Sequence, residues 1–293
     1  MDPGHDDALA LLTALVVTKV TGVTTVAGNQ TLEKTTLNAR RVLAAADRDI
    51  PVAPGYSTPL FCPLVTAGHI HGESGLDGYD FPDLPGPENV VGAMPLLESV
   101  FDRATEPVHW VATGPLTNVA AFLLGHPHLR EKVASLSIMG GALSGGNITA
   151  NAEFNFYVDP DAAAYVLQSG VPIRLVGLDV THKALLRFSQ IPRFKTLASP
   201  IGDMLFGLIS FFSKREAAPG ADGIPIHDVL AVAALLEPHL FRWDSVPLSV
   251  GRFGERRGAV SPVQHGPLVD VAIDIEVEAF FDWMWQCLAA YQD

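Results

Sequence analysis

Residues Gly22–Asn29 read GVTTVAGN, and the run Thr31–Ala46 follows directly. The first is rich in β-branched residues and closes on Gly-Asn, the pattern of a strand ending in a turn. The second has apolar positions at helical spacing and predicts an amphipathic helix with Arg40 and Arg41 facing outward. Working outward, the same alternation recurs. Strands are expected at Val108–Thr113 (VHWVAT), Lys132–Met139 and Pro172–Leu178 (PIRLVGL). Helices are expected at Val90–Arg103, from near Pro115 (suited to a first helical turn), and at Asp159–Gln168. Near-continuous apolar strands separated by helices imply a largely parallel α/β sheet covered on both faces. Ligands in such sheets bind at the carboxyl ends of the strands.

Composition narrows the function. The 293 residues include 19 Lys+Arg and 32 Asp+Glu, a net charge of −13, with 48% hydrophobic and 17% charged residues. That balance excludes a disordered chain and a coiled coil. It also argues against a sequence-independent grip on a nucleic acid polymer or an anionic membrane, and favours a neutral or cationic small molecule. At ~150 residues per domain the length allows two domains, but folds of this class often form one. With no linker-like shift in composition, residues 1–293 are read as one domain. Two distant cysteines, Cys62 and Cys287, form no disulfide framework or CxxC motif. The apolar run Ala8–Val17 is shorter than the ~20 residues that span a bilayer. It follows acidic residues instead of a basic segment, so it is not read as a signal peptide. The expectation is a soluble, cytoplasmic protein.

The chemistry concentrates at strand ends. Met1-Asp2-Pro3-Gly4-His5-Asp6-Asp7 precedes the helical run ALALLTAL. Pro3 keeps Asp2 extended, and Gly4 allows a tight turn. Asp6 and Asp7 at a helix start are each favourable by a few tenths to ~1 kcal/mol. That accounts for two carboxylates and leaves the third to repel them, unless a hard divalent cation with oxygen ligands, Ca²⁺ or Mg²⁺, sits between. From these residues alone both readings stay open. Asn29, the Thr113 carbonyl in TGPLTN, Asn147, Glu153 and Asn155 in the loop-like GNITANAEFNFYVDPD, and His227-Asp228 opening HDVLAVAALL also fall at strand ends or helix starts. Each has an ordinary role: turn former for Asn29, cap for Asn118 and Asp228, solvated charge for Glu153, local hydrogen bonding for His227. Their common location is harder to explain in that way.

The stretches DPGHDDALAL, TTVAGN, HGESGLDG, VATGPLTNVA, MGG, GNITANAEFNFYVDPDAA and IPIHDVLAVA, in this order, resemble the inosine-uridine preferring nucleoside hydrolases (nucleoside N-ribohydrolases). The resemblance runs over nearly the whole chain, through a closing strand and helix at Val269–Tyr291. It implies an open, mostly parallel sheet with a Rossmann-like core, and Ca²⁺-dependent hydrolysis of a ribonucleoside to ribose and free base. By the same resemblance, Asp2, Asp7, Asp228 and the Thr113 carbonyl match the Ca²⁺ ligands. Asp2 also matches the general base for the attacking water. Asp6, Asn155 and Asp228 match groups holding the 2′- and 3′-hydroxyls, with Asn147 and Glu153 near the 5′-hydroxyl. Asn29 matches a residue orienting water and ribose, and Met139 one lining the pocket. His227 matches the general acid for the leaving base, and His71 lies in the loop that closes over it. A homodimer or homotetramer is implied. The chemistry agrees: oxygen-rich walls stabilise an oxocarbenium-like ribose, and a His suits proton transfer to the base.

Two departures from the pattern carry expectations of their own. The family motif DxDPGxDD follows an apolar strand, and Met1 stands at its first x. The sequence therefore lacks the first Asp and strand, and an upstream in-frame start supplying both is expected. The segment Phe211–Ile226 before His227 carries Phe211 and Phe212 beside the less typical Lys214, Arg215 and Pro219. None of Trp110, Trp243, Trp283 or Trp285 falls in the two loops expected over the base. That weakens a purine-specific reading, and His71 with His227 fits a broader or pyrimidine-tolerant enzyme. Two rival functions remain to be set against this one. A phosphohydrolase of the haloacid dehalogenase type lacks its Lys and later acidic pair here. A nucleoside- or ribose-binding protein without turnover would bind ligand and release no product.

Overall fold

A computed structural model describes residues 1–86 and 91–292. Its elements run α1 His5–Val17, β1 Val23–Thr25, α2 Leu32–Ala45, β2 Val52–Pro54, α3 Gly68–His71, α4 Ala93–Arg103, β3 Val108–Ala112, α5 Thr117–Gly125 and β4 Val133–Met139. Then follow α6 Phe154–Val158, α7 Pro160–Leu167, β5 Ile173–Val176, α8 Leu178–Thr181, β6 Leu185–Arg187, α9 Pro200–Glu216, β7 Gly223–Pro225, α10 His227–Leu236, β8 Phe241–Val250, β9 Val260–Pro262, β10 Leu268–Ile275 and α11 Val277–Leu288.

The main sheet has the order β3-β4-β5-β10-β8-β9. Strands β3, β4, β5 and β10 are parallel, while β8 and β9 complete one side antiparallel. Strands β1 and β2 form a separate parallel pair, and β6 with β7 an antiparallel one. This is the α/β architecture with a mostly parallel sheet flanked by helices that the apolar runs predict. One core cluster joins Phe101 (α4), Phe122 (α5) and Val166 (α7) to Leu136 and Val271 of the sheet. A second joins Leu9, Leu12, Phe212, Leu230 and Phe280, from α1, α9, α10 and α11, to Val176 and Ala272. Each fully buried Leu or Phe contributes ~1.5–3 kcal/mol of transfer free energy, so both faces are held by burial. Helix α10 is also pinned to the sheet where the Ser137 hydroxyl donates to the Ala231 carbonyl at 2.6 Å.

The structure corrects several details. Only Val23–Thr25 of the GVTTVAGN run is strand. Beyond it the backbone is taken by other partners: Val26 N–H donates to the Met1 carbonyl and Ala27 N–H to Tyr56. Helix α4 begins at Ala93, and Val90 lies outside the described residues. Pro115 precedes α5 instead of opening it. Arg40 and Arg41 are half-buried, not outward: Arg40 donates to the Pro85 carbonyl and Arg41 lies over the Phe81 ring. Asn118 is no cap. Its amide donates to the Thr25 carbonyl at 2.8 Å and accepts from Tyr56 N–H at 3.1 Å, tying the β1 and β2 ends to α5. The stretch expected to be a loop contains α6 at Phe154–Val158, and His71 sits on the helical turn α3.

Candidate active site

The N-terminal segment reaches its position because extended Asp2-Pro3-Gly4 turns directly into α1. Gly4 N–H donates to Asp7 Oδ2 at 2.9 Å, and the acidic pair enters the first turn. Glycine is required where neighbouring loops close on Asp2: a Cβ on Gly114 would lie 2.2 Å from Asp2 Oδ1, and one on Gly28 2.1 Å from Oδ2. Asp2 and Asp7 are fully buried, and Asp6 and Asp228 nearly so. Asp228 is no helix cap; α10 has no side-chain cap bond, and its first turn delivers Asp228 to α1. Single oxygens of Asp6, Asp7 and Asp228 converge within 4.8 Å. Asp2 lies outside that trio, yet its Oδ1 is buried without a partner.

These carboxylates cannot all ionise in isolation. Burial raises Asp2 and Asp228 well above the carboxylate range, and their acidic neighbours add to the shift. Burial likewise raises Asp7, and takes Asp6 up to about 7. Three converging carboxylates, with a further buried carboxylate oxygen left unpartnered, fit a hard cation. The acidic cluster can therefore bind a metal.

Amides frame the cluster. Asn29 donates its N–H to Asp2 Oδ2 at 2.7 Å and its side-chain amide to the Asp2 carbonyl and Asp7 Oδ2 at 3.2 and 3.3 Å. The Thr113 hydroxyl donates to Asp7 Oδ1 at 2.7 Å. Asn155, on α6, donates to the Thr113 and Met139 carbonyls at 3.1 and 3.2 Å. Glu153 is buried, not solvated. Its carboxylate caps α6, accepting from Asn155, Phe156 and Gly141 N–H groups at 2.8, 3.1 and 2.8 Å. Asn147 stands at the exposed rim and accepts from Phe154 N–H.

Asp6, Asn29, Thr113, Met139, Asn147, Glu153, Asn155 and Asp228 line one end of a cleft, and His71, His227, Phe212 and Glu216 line the other. A concave site with a few convergent polar groups suits a small molecule. Asp2 and Asp7 do not line it. No tryptophan does, among the described residues. At the second end, His227 Nδ1 pairs with the Thr181 hydroxyl at 2.8 Å, and its Nε2 lies 3.8 Å from Glu216 Oε1. Burial opposes a charge on His227, but Glu216, Asp6 and Glu153 outweigh it and its pKa is raised. His71 moves the other way, well below its usual value, through burial and then the neighbouring His5, His227 and His69.

This geometry agrees with the comparisons. The family model described as inosine-uridine preferring nucleoside hydrolase matches residues 1–282. The chain belongs to that family. Pyrimidine-specific ribonucleoside hydrolases RihA of Klebsiella pneumoniae subsp. pneumoniae and Escherichia coli O7:K1 are 43% and 41% identical, each over 99% of this chain and 97% of the relative. Among solved structures, the purine-preferring ribonucleoside hydrolase from Gardnerella vaginalis gives a TM-score of 0.94 at 28% identity, covering 100% of this chain and 97% of that one. A plant nucleoside hydrolase gives 0.91 at 29%, covering 99% and 97%. This nucleoside hydrolase is an enzyme that splits a ribonucleoside into base and ribose. No helix among the described residues is long and apolar enough to cross a membrane.

Three side chains at or behind the cleft of this nucleoside hydrolase carry no sequence signal: Glu216 lines it, Thr181 holds His227, and His5 contacts His71. Glu216 ends α9 with no motif around it, and Thr181 lies in a short helix far from any signature. His5 occupies a variable position of the acidic motif, so nothing marked it as more than a helix-start residue.

Proposed function

We propose that this enzyme is a Ca²⁺-dependent hydrolase of pyrimidine ribonucleosides, acting in the cytoplasm as a homodimer or homotetramer. The observation that carries the ion and the chemistry is the buried, unpartnered Asp2 Oδ1 beside converging Asp6, Asp7 and Asp228. The pyrimidine preference rests on the relatives named pyrimidine-specific and on a base end lined by His71, Phe212 and His227 without tryptophan.

Asp2, Asp7, Asp228 and the Thr113 carbonyl would hold the Ca²⁺, which supplies Lewis acidity toward water and the sugar diol. Asp2, its Oδ2 fixed by Asn29 N–H, keeps Oδ1 free to take a proton from the attacking water. Asn29 anchors this carboxylate and Asp7 together, so the base is oriented before substrate arrives. Asp6 and Asp228 receive the 2′- and 3′-hydroxyls. Asn155 spends its amide hydrogens on two carbonyls, which leaves its oxygen for a sugar hydroxyl. Asn147 and Glu153 hold the 5′-hydroxyl end, and Met139 packs against the ribose. These oxygens surround the ring that gains positive charge as the glycosidic bond breaks. His227 carries its proton toward the departing base.

Ribose release from uridine, cytidine, inosine and adenosine, measured with added Ca²⁺ and after exhaustive chelation, tests the reading. Turnover of the pyrimidine nucleosides alone, lost on chelation and restored by Ca²⁺, is the expected result. Activity indifferent to chelation would refute the metal role, and preferred cleavage of inosine would refute the base preference. Size-exclusion chromatography with light scattering checks the oligomer.

A further inference from the structure

At the base end, His71 is paired with His5, and the chemistry above gives neither imidazole a proton to hold or move. His5 Nδ1 and His71 Nδ1 are 3.1 Å apart, and His5 Nε2 is 2.8 Å from the Asp77 carbonyl oxygen. The His5 ring is near-parallel to the Phe211 and Phe212 rings, at 10° and 7°, and Phe212 is near-parallel to His71. The stack fixes the planes of both imidazoles.

The hydrogen positions follow by elimination. A carbonyl oxygen only accepts, so His5 Nε2 carries a hydrogen. Among the described residues no carboxylate hydrogen-bonds either ring, and both are buried. An imidazolium buried without a carboxylate partner is disfavoured, so the His5 ring is neutral. A neutral His5 with hydrogen on Nε2 bears a lone pair on Nδ1. At 3.1 Å a second lone pair on His71 Nδ1 would repel it, so His71 Nδ1 carries the hydrogen and donates. His71 Nε2 is then the bare nitrogen. The backbone N–H of His5 also approaches His71 Nδ1, at 3.4 Å. The opposite tautomer would satisfy that longer contact at the expense of the shorter one.

We infer that His5 is a positioning residue that locks His71 in the Nδ1–H tautomer, leaving its Nε2 lone pair as an acceptor at the base end of the cleft. His71 then recognises a donor, an N–H of the nucleobase, and supplies no proton to it. The identity of the cleft's occupant rests on the function proposed above; the tautomer does not.

The test reads the imidazole nitrogens of His71 directly, by two-bond proton–nitrogen NMR correlations on the Ca²⁺-supplied full chain. In the wild type Nδ1 should be the protonated nitrogen and Nε2 the bare one. His5→Asn keeps an acceptor oxygen near the Nδ1 position and should hold that tautomer. His5→Gln keeps a donor toward the Asp77 carbonyl, lacks the acceptor, and should release His71 to a mixture. KM for uridine should rise about tenfold in His5→Gln with kcat little changed, the scale of one misdirected hydrogen bond, and stay within about twofold of wild type in His5→Asn. A wild-type His71 protonated on Nε2, or identical tautomers in the two variants, would overturn the inference. The wild-type spectrum decides it even if both variants misfold. The expected tautomers in a protein that cleaves no nucleoside would leave this inference standing and refute the proposed function instead.

Discussion

Glu216 Oε1 lies 3.8 Å from His227 Nε2, the two side chains being only 21% and 9% exposed. The pair joins the last turn of α9 to the first turn of α10 at the cleft wall. It supplies a carboxylate where the site otherwise offers imidazoles and an aromatic ring.

Glu216→Gln should shift the pH profile. His227 has a raised pKa in the fold because Glu216, Asp6 and Glu153 outweigh burial. Its imidazolium therefore persists above the ordinary range and is lost as pH rises through the folded value. Removing the carboxylate brings that loss to lower pH, so the alkaline limb of kcat/KM moves down. Above both values each unit of displacement lowers the rate about tenfold. An unmoved limb would show that Glu216 does not hold the proton.

Asp2→Asn should reduce kcat by about 10²–10⁴-fold, the usual contribution of a positioned general base. The amide preserves shape, so circular dichroism should be unchanged. Rates near those of the wild type would defeat the role given to Asp2.

Stability without the cation should fall as pH rises. Asp6 has its pKa raised from 3.8 to about 7 in the fold, so the folded state binds more protons than the unfolded chain between these values. By linkage, stability contributed by the protonated form is present below that window and lost through it. The melting temperature of chelated protein should drop from pH 4 to 7. At pH 8, Ca²⁺ at a hundredfold excess over Kd should restore about 2.7 kcal/mol, and the same concentration should restore less at pH 5. Equal gains at both pH values would argue against ionised carboxylates as ligands.

Phe156→Ala should cost about 3–5 kcal/mol in urea unfolding. The ring is fully buried, and it lies against the positions where Gly140 and Gly141 would carry side chains. Because α6 also presents Asn155 and is capped by Glu153, activity should fall further than the folded fraction explains. A loss matching the folded fraction alone would separate packing from the site.

Fold class and most of the cleft were legible from the chain. Apolar strands broken by helical runs leave few alternatives to a covered, mostly parallel sheet, and turn residues at Pro3-Gly4 and Gly28-Asn29 announce where the chain turns toward α1 and α2. Two ordinary readings fail for one physical cause. A solvated charge at Glu153 and a cap at Asn118 suit the sequence because a polar side chain near a turn has the same signature whether it faces water or a buried backbone group. Only the fold supplies the Gly141 amide to Glu153 and the Thr25 carbonyl to Asn118.

What the sequence alone determined is the local part: most of the strand and helix segments, and that Asp6, Asn29, Thr113, Asn147, Glu153, Asn155, His227 and Asp228 sit at or near their ends. Periodicity and turn residues act over a few neighbours, and those are adjacent in the chain. The tertiary structure decided the rest. It buried Asp2 beside Asp228, 226 positions away, set Glu216 against His227, and gave His71 the partner that fixes its tautomer. Charge, proton position and donor direction depend on what surrounds a group in space, and no local pattern encodes that surrounding.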